Sequence, residues 1–166
     1  CVGLDTQLAH LPEGFAGEVK KFKDAANALV RYNRAIVDAL AGVVPSAKVQ
    51  VAYYEMYGVP GMRAFHETIE YAKSKGLVVI ADCKRNDIGA TAGAYANAYL
   101  GETPLGEGHD AAFPVDFVTV NAYLGIDGVK PFLEAGKVRG GGIFALVKTS
   151  NPSGGQLQDL KIGDRT

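Results

Sequence analysis

The sequence is poor in cysteine: Cys1 and Cys83 are its only two among 166 residues. Two cysteines are too few for a disulfide framework, and neither stands in a metal-ligand spacing. A reducing compartment, hence the cytoplasm, is the expectation. Excess charge is also missing. The formal net charge is -1, and no basic cluster stands out, so nothing pulls the chain toward nucleic acid or an anionic membrane. No apolar run approaches the roughly 18 residues that cross a bilayer. The opening residues show no signal-peptide pattern. Internal repeats and low-complexity tracts are absent. What remains is ordinary globular stuff, 48% hydrophobic and 21% charged, with enough length for one domain and a real core.

The chain opens on Cys1 instead of Met, and Val2-Gly3-Leu4 already reads as the inside of a strand. Residues 162–166 carry no cap or terminal helix pattern. The expectation is one domain over residues 1–166, forming part of a longer protein.

Strand and helix patterns alternate. Residues 2–4 form a short apolar piece ending at Asp5. Residues 22–40 place Ala25, Ala26, Leu29, Val30, Ile36 and Val37 on one helical face, with Gly42 and Pro45 as stop signals. Residues 47–54 alternate with a period near two, which predicts a strand. Residues 60–75 read as a helix, with Pro60 near its first turn. Residues 77–81 are a continuous β-branched run, as in a strand buried on both faces of a parallel sheet. A helix over 91–100, a strand over 115–120, a helix over 126–135 and a strand over 143–148 follow. Residues 101–114 lack apolar periodicity and read as a surface loop. Five strands with intervening helices imply a parallel sheet with right-handed crossovers. Pattern alone leaves a doubly wound sheet and five-eighths of a (β/α)8 TIM barrel open; a whole barrel takes about 250 residues. The abrupt ends favour the barrel.

Polar residues gather at strand ends. Asp5 follows the first strand, Asp82 and Lys84 close the third, Asn121 follows the fourth, and Thr149, Ser150 and Asn151 follow the fifth. Lys48 lies within the second. In parallel α/β folds the C-terminal strand ends carry the active site. Asp82 and Lys84 are two apart, so both leave the same face of a strand, with Cys83 pointing toward the helices. Asp87 stands in the loop beyond, and Thr91 reads as an N-cap. Lys48, Asp82, Lys84 and Asp87 form a line of alternating charge in which each group favours its neighbour's ionised form. A lysine kept protonated is a poor nucleophile and a ready proton donor to a carbanion. That separates the site from Schiff-base aldolases, whose lysine must be deprotonated.

The run Asp82-x-Lys84-x-x-Asp87-Ile88-Gly89-x-Thr91 resembles the signature of orotidine 5′-phosphate decarboxylases. Val2-Gly3-Leu4-Asp5, residues 48–55 (KVQVAYYE) and Thr149-Ser150-Asn151-Pro152 are similar to the bacterial type 2 subgroup, in the same order. The resemblance implies decarboxylation of orotidine monophosphate to uridine monophosphate, without cofactor or metal. It implies Lys84 as the proton donor to ring carbon six, with Asp82 and Lys48 as charged partners. It makes Asp87 an aspartate lent to a neighbouring subunit, so that the active unit is a homodimer with shared sites. Thr91 would cross the interface with it and meet the ribose, Asp5 would hold the ribose hydroxyls, and Ser150 the pyrimidine edge. The family's phosphate-gripping loop follows the last strands of the barrel and is not found in this chain; Arg165 is not assigned that role.

Other residues read as structural. His10, His66 and His109 share no metal spacing. Glu55 suits a pair with a nearby loop or arginine, and Asn27 and Asn33 suit helix packing. Asn121 is equally turn chemistry. Gly140-Gly141-Gly142 precedes a strand, which suits a turn and not a phosphate cradle, while Gly154-Gly155 suits a mobile piece near a ligand. Two other functions remain: a 3-keto-gulonate-phosphate decarboxylase using magnesium on the same frame, where a Thr replaces Arg85, and a non-catalytic flavodoxin-like binding module.

Overall fold

A computed structural model describes residues 1–161 and Gly163. The tail residues Ile162, Asp164, Arg165 and Thr166 lie outside it. The elements run β1 (Val2–Leu4), α1 (Phe22–Leu40), β2 (Ser46–Gln50), α2 (Ala52–Glu55), α3 (Gly58–Ser74), β3 (Val78–Arg85), α4 (Gly89–Tyr99), β4 (Thr103–Leu105), β5 (Gly108–Asp110), β6 (Phe117–Asn121), α5 (Ile126–Arg139), β7 (Gly142–Leu146) and α6 (Gly155–Gln158).

Five strands form one parallel sheet in the order β1-β2-β3-β6-β7. Each new strand joins the edge its predecessor left. A doubly wound sheet reverses its strand order at a switch point; this sheet never does. Unbroken sequential order is how a (β/α)8 barrel builds its wall, which decides between the two architectures the pattern leaves open.

Alternation along each strand sorts the two faces. Val49, Val79, Ala81, Val118 and Val120 are fully buried against Leu29, Val37, Phe65, Ile69 and Phe132 of the helices. Burying side chains of this size contributes about 1.5–3 kcal/mol each. The opposite face carries Lys48, Gln50, Ile80, Asp82, Thr119 and Phe144, the face a barrel turns inward.

Three local expectations fail. The strand predicted over 47–54 ends at Gln50, and Ala52–Glu55 is a helical turn. The turn swings Tyr54 under α3, fully buried, where its hydroxyl accepts from Asn33 Nδ2 (2.6 Å) and donates to Thr68 Oγ1 (3.3 Å). Packing and two buried hydrogen bonds outweigh the alternation. Residues 101–114 are not all loop: β4 and β5 pair as a hairpin. Most of its strand residues are exposed, so no apolar face marked it. Thr91 is not an N-cap. Gly89, at φ +56, turns the chain into α4 two residues earlier, after Ile88.

Candidate active site

Parallel register sets the site. Gly3 pairs with Lys48, Lys48 with Ile80, and Gln50 with Asp82. Lys48 and Gln50 are therefore adjacent inward positions of β2, beside Asp82 of β3. Gly3 is inward-facing on β1, and a Cβ there would stand 2.8 Å from Asp5 Oδ2. Its lack of a side chain lets Asp5 fold back toward Lys48, 3.6 Å away.

Asp82 is the hub. Its Oδ2 accepts from Lys48 Nζ (2.8 Å) and Gln50 Nε2 (3.0 Å). Its Oδ1 accepts from Lys84 Nζ (2.6 Å) and Thr119 Oγ1 (2.9 Å). A carboxylate offers about four acceptor positions, and all are taken. Burial pushes the Asp82 carboxyl up, but the bonds from Lys48, Lys84 and Thr119 outweigh it and hold the group below the usual carboxylate range. Burial likewise works against the charge of Lys48, and its bond and attraction to Asp82, with help from Asp5, hold it above the ordinary lysine value. Asp82 is thus an anionic strut between two cations.

The row is not wholly buried. The Asp82 side chain is 9% exposed, against 33% for Lys48 and 47% for Lys84. Asp87 does not join the row as the alternating-charge reading expected. Its Oδ1 accepts from the N–H of Ile88 (2.8 Å), and no ion pair holds it among the described residues. It lies in the loop beyond β3. Thr91 and Ser150 are exposed, and no hydrogen bond ties either to the row. Around Ser150, Thr149 and Gln158 bond each other twice (2.8 Å each) and fix the turn after β7. Gly154 is buried within that turn.

Sequence reading missed Gln50 and Thr119. Gln50 was findable, two residues past Lys48 on the same strand face. Thr119 was not, because a threonine in an apolar strand is ordinary β composition. Glu55 has the arginine partner expected of it: Arg85 Nη2 lies 2.6 Å from Glu55 Oε1 and 3.2 Å from the Tyr99 hydroxyl. Asn121 caps a turn through Tyr123 N–H (2.9 Å), Asn33 sits in the Tyr54 network, and His66 Nδ1 lies 3.0 Å from Ala112 O. Gly140 ends α5 at φ +71 and Gly142 opens β7, the turn the glycine run predicted.

A sequentially ordered parallel wall with a lysine–aspartate–lysine row on its inward face defines an α/β protein of the partial-barrel class. The comparisons give the particular family. The family model described as "Orotidine 5'-phosphate decarboxylase / HUMPS family" matches residues 1–166, and the chain belongs to that family. It is 48% identical over 168 residues to an orotidine 5′-phosphate decarboxylase of Rhodopirellula baltica, covering 100% of this chain and 55% of that one. It is 44% identical over 171 residues to one from Caldicellulosiruptor saccharolyticus, covering 98% and 55%. Among solved structures it resembles the orotidine monophosphate decarboxylase of Leishmania donovani, with TM-score 0.76 and 29% identity over 99% of this chain and 54% of that one. The chain spans about half the length of the curated relatives it matches. Its five strands are a partial (β/α)8 barrel.

Proposed function

We propose that the protein containing this chain decarboxylates orotidine 5′-phosphate to uridine 5′-phosphate in the cytoplasm. The observation that carries the reading is the double grip on Asp82, 2.8 Å from Lys48 and 2.6 Å from Lys84. It fixes the Lys84 ammonium, on a half-exposed side chain, beside an ionised carboxylate. Carbon dioxide leaves the pyrimidine ring, and the electron pair stays on ring carbon six. Lys84 stabilises that charge as it forms, the kind of interaction that usually dominates catalysis, and then gives it a proton. Lys48 keeps Asp82 ionised, and Asp82 aims Lys84. Asp5 is suited to ribose hydroxyls and Ser150 to the pyrimidine edge.

Asp87 and Thr91 belong to a homodimer in this reading and complete the neighbour's site. Support comes from the surface around them. Ile88 (54% exposed), Tyr123 (76%) and Ile126 (66%) are large apolar groups left open, and the Asp87 loop packs against Gly128 beside them. The remaining barrel strands and the phosphate grip belong to sequence outside residues 1–166, consistent with the half-length match. Among the described residues no helix is long and apolar enough to cross a membrane.

A second reading is the magnesium-dependent 3-keto-gulonate-phosphate decarboxylase that shares the Asp-x-Lys-x-x-Asp frame. The saturated Asp82 argues against it, since a cation would have to displace a lysine. The deciding experiment incubates the full-length protein with orotidine 5′-phosphate and measures uridine 5′-phosphate and carbon dioxide, with and without chelator. Turnover that survives chelation is expected. A folded dimer producing neither product would sink the proposal, and activity abolished by chelator would transfer it to the second reading.

A further inference from the structure

We propose that Thr119 is a positioning residue for the proposed reaction: its hydroxyl pins a bulge in β3 and thereby fixes where the Lys84 ammonium stands. The pairing of β3 with β6 is regular at Ile80↔Phe117 and Ala81↔Val118, then resumes only at Arg85↔Val120. Asp82, Cys83 and Lys84 thus face one residue, Thr119. Bulges leave backbone groups without ladder partners and re-aim side chains. Here the side chain of Thr119 replaces the missing ladder. It accepts from the N–H of Cys83 (3.0 Å) and of Lys84 (2.9 Å), and donates to Asp82 Oδ1 (2.9 Å).

A hydroxyl has one donor and two acceptor positions, and every one is used. Thr119 is only 8% exposed, so water cannot readily stand in for it. The bulge has a conformational consequence. Lys84 sits at φ +47, the one non-glycine residue at positive φ among the described residues. Such backbone persists only where surroundings over-determine it, and it clusters at functional sites. Two bonds to one hydroxyl over-determine this stretch. The left-handed residue turns the Lys84 side chain back over Asp82, where its Nζ lies 2.6 Å from the same oxygen that Thr119 holds. A valine would fill the space of the threonine and leave two buried N–H groups without partners.

The kinetic part of this inference rests on the decarboxylase reading; the structural part does not. The test compares Thr119→Ser, Thr119→Cys and Thr119→Val in the full-length protein. Serine keeps the hydroxyl and should keep kcat near that of the unsubstituted protein. Valine should lower kcat about 100-fold, the cost of misplacing a reacting group by about an ångström, with KM changed far less. The acid limb of the kcat/KM profile should move to higher pH in the valine variant, because Asp82 loses one of the bonds that favour its anion. Amide hydrogen exchange at Cys83 and Lys84 should quicken in the valine variant and not in the serine one. Should valine prevent folding, the cysteine variant decides, since a thiol is a weak donor and acceptor. Its kcat and amide protection should then fall below those of serine. Equal losses for serine and valine, or a valine variant with unchanged kcat and protected amides, would overturn the pin. If the unsubstituted protein does not decarboxylate, only the functional reading falls, and the exchange measurements still decide this one.

Discussion

Lys48 and Lys84 stand on different strands and grip opposite oxygens of one carboxylate, 2.8 Å and 2.6 Å from Asp82. Neither lysine bonds the other's oxygen, so the aspartate holds two like charges apart. Bringing these groups together takes two parallel strands in one register, with Gln50 directly beside Asp82.

On the proposed reading, replacing Lys84 with alanine removes the proton donor and half of that arrangement. General acid catalysis alone contributes about 100- to 10,000-fold, and the loss here includes the electrostatic effect as well. Steady-state assays should show kcat reduced by at least about 1,000-fold. The fold should survive, as the side chain is 47% exposed; circular dichroism and thermal melting check that.

The homodimer reading makes a separate prediction. Lys84→Ala and Asp87→Asn proteins should each be nearly inactive. Unfolded, mixed and refolded together, they should regain activity, because hybrid dimers assemble one site with both residues intact. Mixtures that stay inactive while forming hybrids would show that Asp87 does not serve the neighbouring subunit.

Acid should weaken the fold through Asp82. The unfolded carboxyl titrates near 3.9, and the folded one lies lower, against the pull of burial, because Lys48, Lys84 and Thr119 bond its anion. A depressed folded value gives stability that is complete above the unfolded value and is lost as pH falls through the folded one. Melting temperature followed from pH 7 to pH 3 should drop below about pH 4. The Asp82→Asn protein should show a shallower drop.

Tyr54 tests the core apart from the site. Its hydroxyl takes a hydrogen bond from Asn33 Nδ2 at 2.6 Å, fully buried. Tyr54→Phe leaves that donor unpaired and should cost about 1–3 kcal/mol, read by denaturant unfolding. No hydrogen bond links Tyr54 itself to the lysine row, so kcat should change far less than in the Lys84→Ala protein.

Cys83 should resist thiol reagents. Burial pushes its thiol up to about 11, against the opposing influence of Arg85, and only the thiolate reacts quickly. Alkylation at pH 8 should label exposed Cys1 and spare Cys83, with peptide mass spectrometry as the readout. Labelling of both at equal rates would contradict the packing around β3.

Several of these features were legible in the chain. The two-residue step from Asp82 to Lys84 placed both on one face, and the apolar run before them marked a buried parallel strand. The rim of polar strand ends follows from the same periodicity. The hairpin over 103–110 was not legible, because exposed strands carry no buried face to read. The end of β2 was not legible either, since alternation continued through Tyr54 while packing under α3 took that residue into a helical turn. Thr119 escaped because its role depends on which strand lies beside it.

Local spacing and residue type were enough to read the alternation of strands and helices, the inward polar positions and the family motif. The strand order β1-β2-β3-β6-β7, the four bonds that saturate Asp82, and the bulge that sets Lys84 at φ +47 came from long-range packing. The physical reason is one of distance along the chain. Periodicity records which way a side chain leaves its own strand, whereas pairing residues 34 and 37 positions from Asp82 with its two oxygens requires the register of neighbouring strands.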